Sequence, residues 1–239
     1  MVETFENALT PDDVAWFKAD FEKLINVNPV MRPVDIESSV EYFGARIDVI
    51  DQRHVFCPDE EGYKRMCKIL FKHIPAELDT NKLNVYMAYQ RQFLPHQLHV
   101  DSASPGIDLS YAKSAIIPLD ENPNDIFKTL IWDKKFLSDS EFQDYISAFI
   151  ADRSQFPIVS NASELYDVEH CWRGTPSLID TMPMDGVYNY QLGSMVLFDR
   201  VHLHCSSNWF KHHLVDHKDI ILLHVDLLET QDSPTAMAV

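Results

Sequence analysis

The chain has 239 residues, of which 46% are hydrophobic and only 6 are glycine, so it can bury a substantial core. Its formal net charge of -17 disfavours a nucleic-acid partner bound through its phosphates. The 4 cysteines form no C-x-x-C pair, the N-terminus lacks a signal-peptide pattern, and no apolar run reaches the roughly 18 residues of a membrane span. We therefore expect a reduced, cytoplasmic protein without a membrane segment.

The first part of the chain, residues 1–80, predicts two amphipathic helices. Thr10 is suited to cap the first helix and Pro11 to its first helical position. Apolar residues then recur at three- and four-residue spacing to about residue 26, and a second helical pattern covers residues 59–74. We expect this part to be a mainly helical support that covers one face of a sheet.

The rest of the chain, residues 83–228, reads as a series of short strands. Apolar and polar residues alternate from Leu83 to Phe93, the pattern of a half-buried strand. Residues 156–187 have no clear period and predict a long loop or lid, so a lid-like insertion is expected around 138–187. Because regular helices do not separate the strands, an antiparallel sandwich or jelly roll with helices on one side is favoured over a parallel fold. Further strands are predicted over 114–119, 127–132, 188–203 and 220–228, and a helix capped by Ser138 over 138–152.

The first candidate catalytic residues, His99 and Asp101, are two apart in the run Leu98 to Ser102. On a strand, residues two apart point to the same face, so an imidazole and a carboxylate could occupy adjacent positions on a metal. A histidine from a second strand would complete a 2-His-1-carboxylate facial triad, which suits non-haem Fe(II) in oxygenases. Taken alone, the tripeptide favours an ordinary solvated strand end, so a partner run must decide.

That partner run extends from Gly193 to Asn208. In it, an apolar stretch ends at Phe198, and small polar residues follow His204. The run resembles the distal-histidine strand of Fe(II)/2-oxoglutarate-dependent oxygenases and is most similar to their phytanoyl-CoA dioxygenase-like branch. The upstream His99-x-Asp101 pair matches the first motif of the same family.

The resemblance covers residues 83–228 and implies both a fold and an activity. The implied fold is mainly β with flanking helices, built on a double-stranded β-helix (a cupin-like jelly roll), in a single domain of residues 1–239. His99, Asp101 and His204 would be the catalytic ligands of Fe(II). 2-Oxoglutarate and O2 would be consumed while a small-molecule substrate is hydroxylated, with release of succinate and CO2. Because this chain retains a carboxylate where related halogenases have Gly or Ala, hydroxylation, desaturation or cyclisation is favoured over halogenation.

The same family needs a cation for the distal carboxylate of 2-oxoglutarate, usually an Arg that binds it through two parallel hydrogen bonds. This chain has no Arg after Arg200, so we expect Lys218, directly before the strand 220–228, to act there as a point charge. Lys211 and Arg91 are the alternatives for this cofactor-binding role. An ordinary surface charge is the competing interpretation for each of them.

Several alternatives stay open. His202 lies on the same strand face as His204 and could replace it, and His96 could replace His99, although no carboxylate follows His96 two residues later. A cupin-type metal enzyme that needs no 2-oxoglutarate and a catalytically inactive jelly-roll binding protein are the competing functions. The acidic composition favours a small-molecule substrate such as an amino acid or another amine, with a peptide or protein substrate as the alternative.

Overall fold

The computed structural model describes residues 2–25, 30–33, 51–56, 58–93, 95–96, 98–101, 107–163, 176–207, 209–212 and 214–228. The helices are α1 (Pro11–Ile25), α2 (Glu60–Leu70), α3 (Asp139–Ala151) and α4 (Pro176–Ile179). The strands are β1 (Glu3–Phe5), β2 (Val30–Pro33), β3 (Asp51–Phe56), β4 (Leu83–Gln92), β5 (Ile107–Pro118), β6 (Lys128–Lys135), β7 (Met184–Asn189), β8 (Met195–Asp199), β9 (His202–Ser206) and β10 (Lys218–Leu228). No helix within these ranges is long and apolar enough to cross a membrane.

Local hydrogen bonds fix the starts of the three long helices. At α1, Thr10 Oγ1 accepts from the backbone N–H of Asp13, whose carboxylate accepts in return from the backbone N–H of Thr10, both at 3.2 Å. Asp59 caps α2 and Ser138 caps α3, each by accepting from the backbone N–H three residues later. Such caps satisfy N–H groups that have no partner inside the helix, which is why the helices begin where the sequence predicts them.

The larger sheet has seven antiparallel strands in the order β1-β8-β5-β10-β4-β3-β2. The central strand β10 lies between β4 and β5, with Lys218 opposite Gln92 and His224 opposite Ser114. Alternate residues of β10, including Ile221 and Leu223, pack with α1 and α2 in one apolar core. The other face of β10 therefore points towards the second sheet.

The smaller sheet has the order β7-β6-β9 and is also antiparallel. The segment 98–101 joins the free edge of β9 through a bridge between His99 and His204. Helix α3 covers the outer face of this sheet, where Phe142 and Phe149 pack in a core with Leu130 and Leu203. A third core fills part of the space between the two sheets.

Three sequence predictions need correction. The sequence predicts helices on one side only, but they cover the outer faces of both sheets: α1 and α2 pack on the larger sheet, and the apolar face of α3 packs on the smaller one. Residues 188–203 are not one strand: β8 pairs in the larger sheet, and the chain turns after Asp199 so that β9 pairs in the smaller one. The irregular segment 156–187 contains the short helix α4 and the start of β7, while its residues 164–175 lie outside the described ranges.

Candidate metal centre

Backbone pairing brings the two predicted halves of the site together. The N–H of His99 donates to the carbonyl of His204 and the N–H of His204 to that of His99, each at 3.0 Å. The N–H of Asp101 donates to the carbonyl of Arg200, also at 3.0 Å. Leu98 and Val100 pack in the core under α3, so strand alternation turns His99 and Asp101 to the opposite face, between the sheets.

Three side chains converge at this point. His99 Nε2 lies 3.5 Å from Asp101 Oδ1, and His204 Nε2 lies 3.6 Å from Asp101 Oδ2. One ligand atom from each residue lies within 4.8 Å of the other two, and the structure thus offers a candidate metal site. This is the combination of two imidazoles and one carboxylate that the sequence predicts.

Neighbouring groups orient these three side chains. His204 Nδ1 lies 2.9 Å from the carbonyl oxygen of His202, so Nδ1 carries the proton and Nε2 presents its lone pair to the site. Ser114 Oγ donates to Asp101 Oδ2 at 2.6 Å. The rings of Phe198 and His204 pack edge to face, with their centroids 4.8 Å apart. Partners of this kind hold metal ligands in their binding orientation.

The electrostatic environment keeps Asp101 and His204 in the protonation states that a metal requires. Burial raises the pKa of Asp101, but the neighbouring His204 and His99 outweigh it and hold that pKa well below its usual range. Burial, assisted by His99, lowers the pKa of His204 to about 4. At neutral pH the carboxylate is therefore ionised and the imidazole of His204 is neutral, as metal binding demands.

The two alternative histidines occupy different places. Although His202 is buried on the same face of β9, its Nε2 lies 3.7 Å from Asp199, beside the turn that joins β8 to β9. Among the described residues, it does not group with His99 and Asp101. The centroids of the His96 and His99 rings lie 3.9 Å apart, and both residues line one cavity.

The triad opens into a cavity between the two sheets, hereafter the inter-sheet cavity. Its polar lining, apart from the triad and His96, comprises Gln90, Gln92, Thr129, Tyr190 and Ser206. Two of these residues contact Lys218, whose ammonium donates to Ser206 Oγ at 3.1 Å and to Tyr190 Oη at 3.3 Å. The sequence put Lys218 directly before the last strand, but the structure makes it the first residue of β10. Its side chain is 1% exposed, so it is not a surface charge.

Arg91 lies on the other side of the larger sheet. Its guanidinium donates to both carboxylate oxygens of Asp219, at 2.8 and 2.6 Å, and to Glu22 at 2.6 Å. It also lies over the ring of Phe21 on α1. Arg91 thus forms an ion pair under α1, whereas its strand neighbours Gln90 and Gln92 line the inter-sheet cavity.

The sequence analysis named the three residues that the structure brings together, but it missed most of the polar lining. Lys211, the remaining alternative, lies in the turn Trp209–His212, outside β10. Gln90 and Gln92 could have been found from their spacing, since two polar residues two apart in a hydrophobic strand mark a polar patch on one face. Ser114 and Tyr190 carry no such signal, because they reach the site only through the pairing of distant strands.

Solved structures similar to this chain include two enzymes described as non-heme and alpha ketoglutarate dependent. SnoK, a non-heme alpha ketoglutarate dependent carbocyclase from nogalamycin biosynthesis, has a TM-score of 0.56 at 12% identity, over 94% of this chain and 79% of its own. The non-heme alpha ketoglutarate dependent epimerase SnoN has a TM-score of 0.53 at 12% identity, over 100% and 87%. EvdO2 from Micromonospora carbonacea var. aurantiaca, complexed with 2-oxoglutarate, has a TM-score of 0.51 at 12% identity, over 98% and 90%. No protein-family model and no curated protein matches the chain.

The fold is therefore that of the non-heme enzymes that depend on alpha ketoglutarate, which is 2-oxoglutarate. This confirms the resemblance drawn from the two sequence motifs. The chain combines this fold, two antiparallel sheets flanked by helices, with a candidate His-Asp-His metal site.

Proposed function

We propose that this protein is an Fe(II)/2-oxoglutarate-dependent dioxygenase that hydroxylates a small molecule and releases succinate and CO2. One observation carries the proposal: His99, Asp101 and His204 face a cavity whose polar wall is hydrogen-bonded to the buried ammonium of Lys218. A metal triad alone also fits a cupin-type enzyme that needs no 2-oxoglutarate. The buried ammonium of Lys218 would bind one carboxylate of a dicarboxylate such as 2-oxoglutarate, and this favours the oxygenase.

The described geometry fits a bound Fe(II). Two ligands at right angles on a metal, each about 2.1 Å from it, lie about 3 Å from one another. His99 Nε2 lies 3.5 Å from Asp101 Oδ1 and His204 Nε2 lies 3.6 Å from Asp101 Oδ2, each about half an ångström more than this, so a small rotation of the carboxylate would be needed to turn one oxygen towards both histidines. Three ligands on one face would leave three positions for 2-oxoglutarate and O2.

The cavity also fits 2-oxoglutarate. Ser206 follows His204 by two residues on β9 and faces the same cavity, so their Cα atoms are about 7 Å apart. An extended 2-oxoglutarate bound to the metal by its keto acid end would span a similar length. Its distal carboxylate would then lie beside Ser206 Oγ, Tyr190 Oη and the ammonium of Lys218. Burial strengthens such a charge-assisted contact.

When bound, Fe(II) together with 2-oxoglutarate and O2 supplies an oxidant that can attack a substrate C–H bond. The residues of the chain do the rest. Asp101 contributes the single negative charge of the ligand set, and the carbonyl of His202 holds the His204 ring in one tautomer. Ile116, Ile220 and Leu222 form an apolar wall of the cavity, which would limit the contact of bound reactants with water.

We further propose that the two sheets form the double-stranded β-helix expected from the sequence, in a single domain. The substrate is proposed to be a small molecule. The solved neighbours are described as a carbocyclase and an epimerase, so this fold serves more than one outcome. The carboxylate of Asp101 argues only against halogenation, since related halogenases have Gly or Ala at this place; among the remaining outcomes, hydroxylation is the one we propose.

The test is turnover of 2-oxoglutarate. Protein loaded with Fe(II) under anaerobic conditions is mixed with O2, 2-oxoglutarate and a panel of small molecules, and succinate and O2 uptake are measured together. We expect succinate to form with wild type and not with Asp101→Ala. O2 uptake without succinate would favour the cupin-type enzyme. Iron binding without any O2 uptake would favour the inactive binding protein.

A further inference from the structure

Two glutamines of β4 form an unusual buried pair in the wall of the inter-sheet cavity. Gln90 is 3% exposed and Gln92 is 4% exposed. Gln92 Nε2 donates to Gln90 Oε1 at 2.9 Å, whereas Gln92 Oε1 has no hydrogen-bond partner among the described residues. Because a buried acceptor without a partner is costly, this atom requires an explanation.

The surroundings of this amide are rich in hydrogen-bond donors. Gln92 lies directly opposite Lys218 in the pairing of β4 with β10. Residues paired in this way have Cβ atoms about 4.5–5.5 Å apart on one face. The Lys218 ammonium and the hydroxyls of Ser206 and Tyr190 meet at the same end of the cavity. An amide oxygen at this end of the cavity would repel an anionic ligand, whereas an amide N–H would donate a hydrogen bond to it.

The orphaned acceptor disappears if both amides turn over together. The oxygen and nitrogen of a side-chain amide have nearly the same shape, so the hydrogen-bond network decides their orientation. After a joint turn, Gln90 Nε2 donates to Gln92 Oε1, and Gln92 Nε2 takes the place of the orphaned oxygen, where a bound anion would accept from its N–H. Turning Gln92 alone would bring two carbonyl oxygens together, so the pair must turn as a unit.

We propose that Gln90 holds Gln92 so that Gln92 Nε2 donates to the distal carboxylate of 2-oxoglutarate, which makes Gln92 a specificity-determining residue beside Lys218. This inference rests on the proposed function. An ammonium is a point charge that attracts any anion, whereas an Arg fork selects a planar carboxylate through two parallel donors. The neighbouring amide and ammonium supply two donors side by side, so this chain reproduces the fork from two residues.

The experiment compares two ligands that differ only at the distal end. 2-Oxopentanoate has the keto acid of 2-oxoglutarate but a methyl group in place of the distal carboxylate. Dissociation constants are measured by calorimetry on zinc-loaded, redox-inert protein for wild type, Gln92→Met, Gln92→Glu and Lys218→Ala. The control is Tyr86→Phe, which changes an exposed residue earlier on the same strand. Unfolding midpoints are recorded for each variant.

Gln92→Met should weaken 2-oxoglutarate binding about ten- to a hundredfold and Gln92→Glu still further, because its carboxylate repels the ligand. Binding of 2-oxopentanoate should change by less than about twofold in Gln92→Met, and Tyr86→Phe should match wild type for both ligands. In ¹⁵N-labelled wild type, the side-chain amide resonance of Gln92 should shift with 2-oxoglutarate and stay in place with 2-oxopentanoate. This spectrum tests the inference even if a variant fails to fold.

The possible failures are distinguishable. If wild type binds 2-oxoglutarate no better than 2-oxopentanoate, the proposed function fails and the inference fails with it. If Lys218→Ala loses the preference for 2-oxoglutarate while Gln92→Met keeps it, the inference is overturned and the proposed function stands. An unmoved Gln92 resonance in the presence of bound 2-oxoglutarate also overturns it.

Discussion

Replacement of Lys218 by methionine separates a functional lysine from a structural one. The Lys218 side chain is 1% exposed, and its ammonium donates to the hydroxyls of Ser206 and Tyr190. A hydrogen bond to a charged group contributes about 1.5–3 kcal/mol. Loss of the proposed contact between the Lys218 ammonium and the distal carboxylate should raise the dissociation constant of 2-oxoglutarate roughly ten- to a hundredfold. The affinity for Fe(II) should stay near that of wild type.

The same substitution should leave the stability of the ligand-free protein unchanged or increase it. Replacing a buried charge by an apolar side chain of similar volume is often neutral or stabilising, because the cost of desolvating the charge disappears. Lys218→Met should therefore unfold at the same temperature as wild type or at a higher one, in the absence of ligand. A lysine kept for stability would show the reverse.

The assay is an anaerobic titration of 2-oxoglutarate into Fe(II)-loaded protein, followed by thermal unfolding of the ligand-free protein. Lys211→Ala is the control, since Lys211 lies in the turn before β10 and should have little influence. The reasoning is refuted if Lys218→Met binds 2-oxoglutarate like wild type. It is also refuted if the variant loses both affinity and several degrees of stability, because Lys218 would then support the fold instead of the ligand.

Three further predictions concern the triad, its pH dependence and Arg91. His204→Ala should lower Fe(II) affinity more than a hundredfold and His202→Ala less than about tenfold; calorimetry showing the reverse order would mean that His202 is the ligand. The pKa of His204 falls from 6.5 to about 4 on folding, so the unfolded chain binds more protons between these values. The metal-free protein should therefore lose up to about 3 kcal/mol as pH drops from 6.5 to 4, and urea titrations should find a smaller loss in His204→Gln. Arg91→Met leaves the buried Asp219 without its bidentate partner and should cost about 3 kcal/mol of stability. The affinity for 2-oxoglutarate should be unchanged; weaker binding would indicate that Arg91 contributes to the 2-oxoglutarate site.

Local sequence patterns predict where the long helices of this protein begin and which residues of a strand share a face. The capping residues Thr10, Asp59 and Ser138 precede apolar patterns of helical period, and α1, α2 and α3 begin at these caps. Caps and periodicity act over a few residues, so they can be identified without knowledge of the fold. The spacing of His99 and Asp101 is equally local, because strand alternation alone puts both side chains on one face.

The pairing of strands is a property of the tertiary structure. His99 meets His204 because the chain leaves the larger sheet after β8 and returns in the smaller one as β9, a turn that no hydrophobic period marks. The faces of the sheet on which Lys218 and Arg91 lie are fixed in the same way. The two residues lie on adjacent, paired strands, but the register assigns Lys218 to the inner face and Arg91 to the face under α1.

The polar lining of the cavity illustrates the same division. Thr129, Tyr190 and Ser206 come from separate parts of the chain, and only the packing of one sheet on the other brings their hydroxyls together around Lys218. A side chain's burial depends on residues far away in the sequence, so the sequence could predict a lysine at the start of the last strand but not its enclosure. Local sequence thus determined which residues share a face, and the packing of the two sheets decided which faces meet.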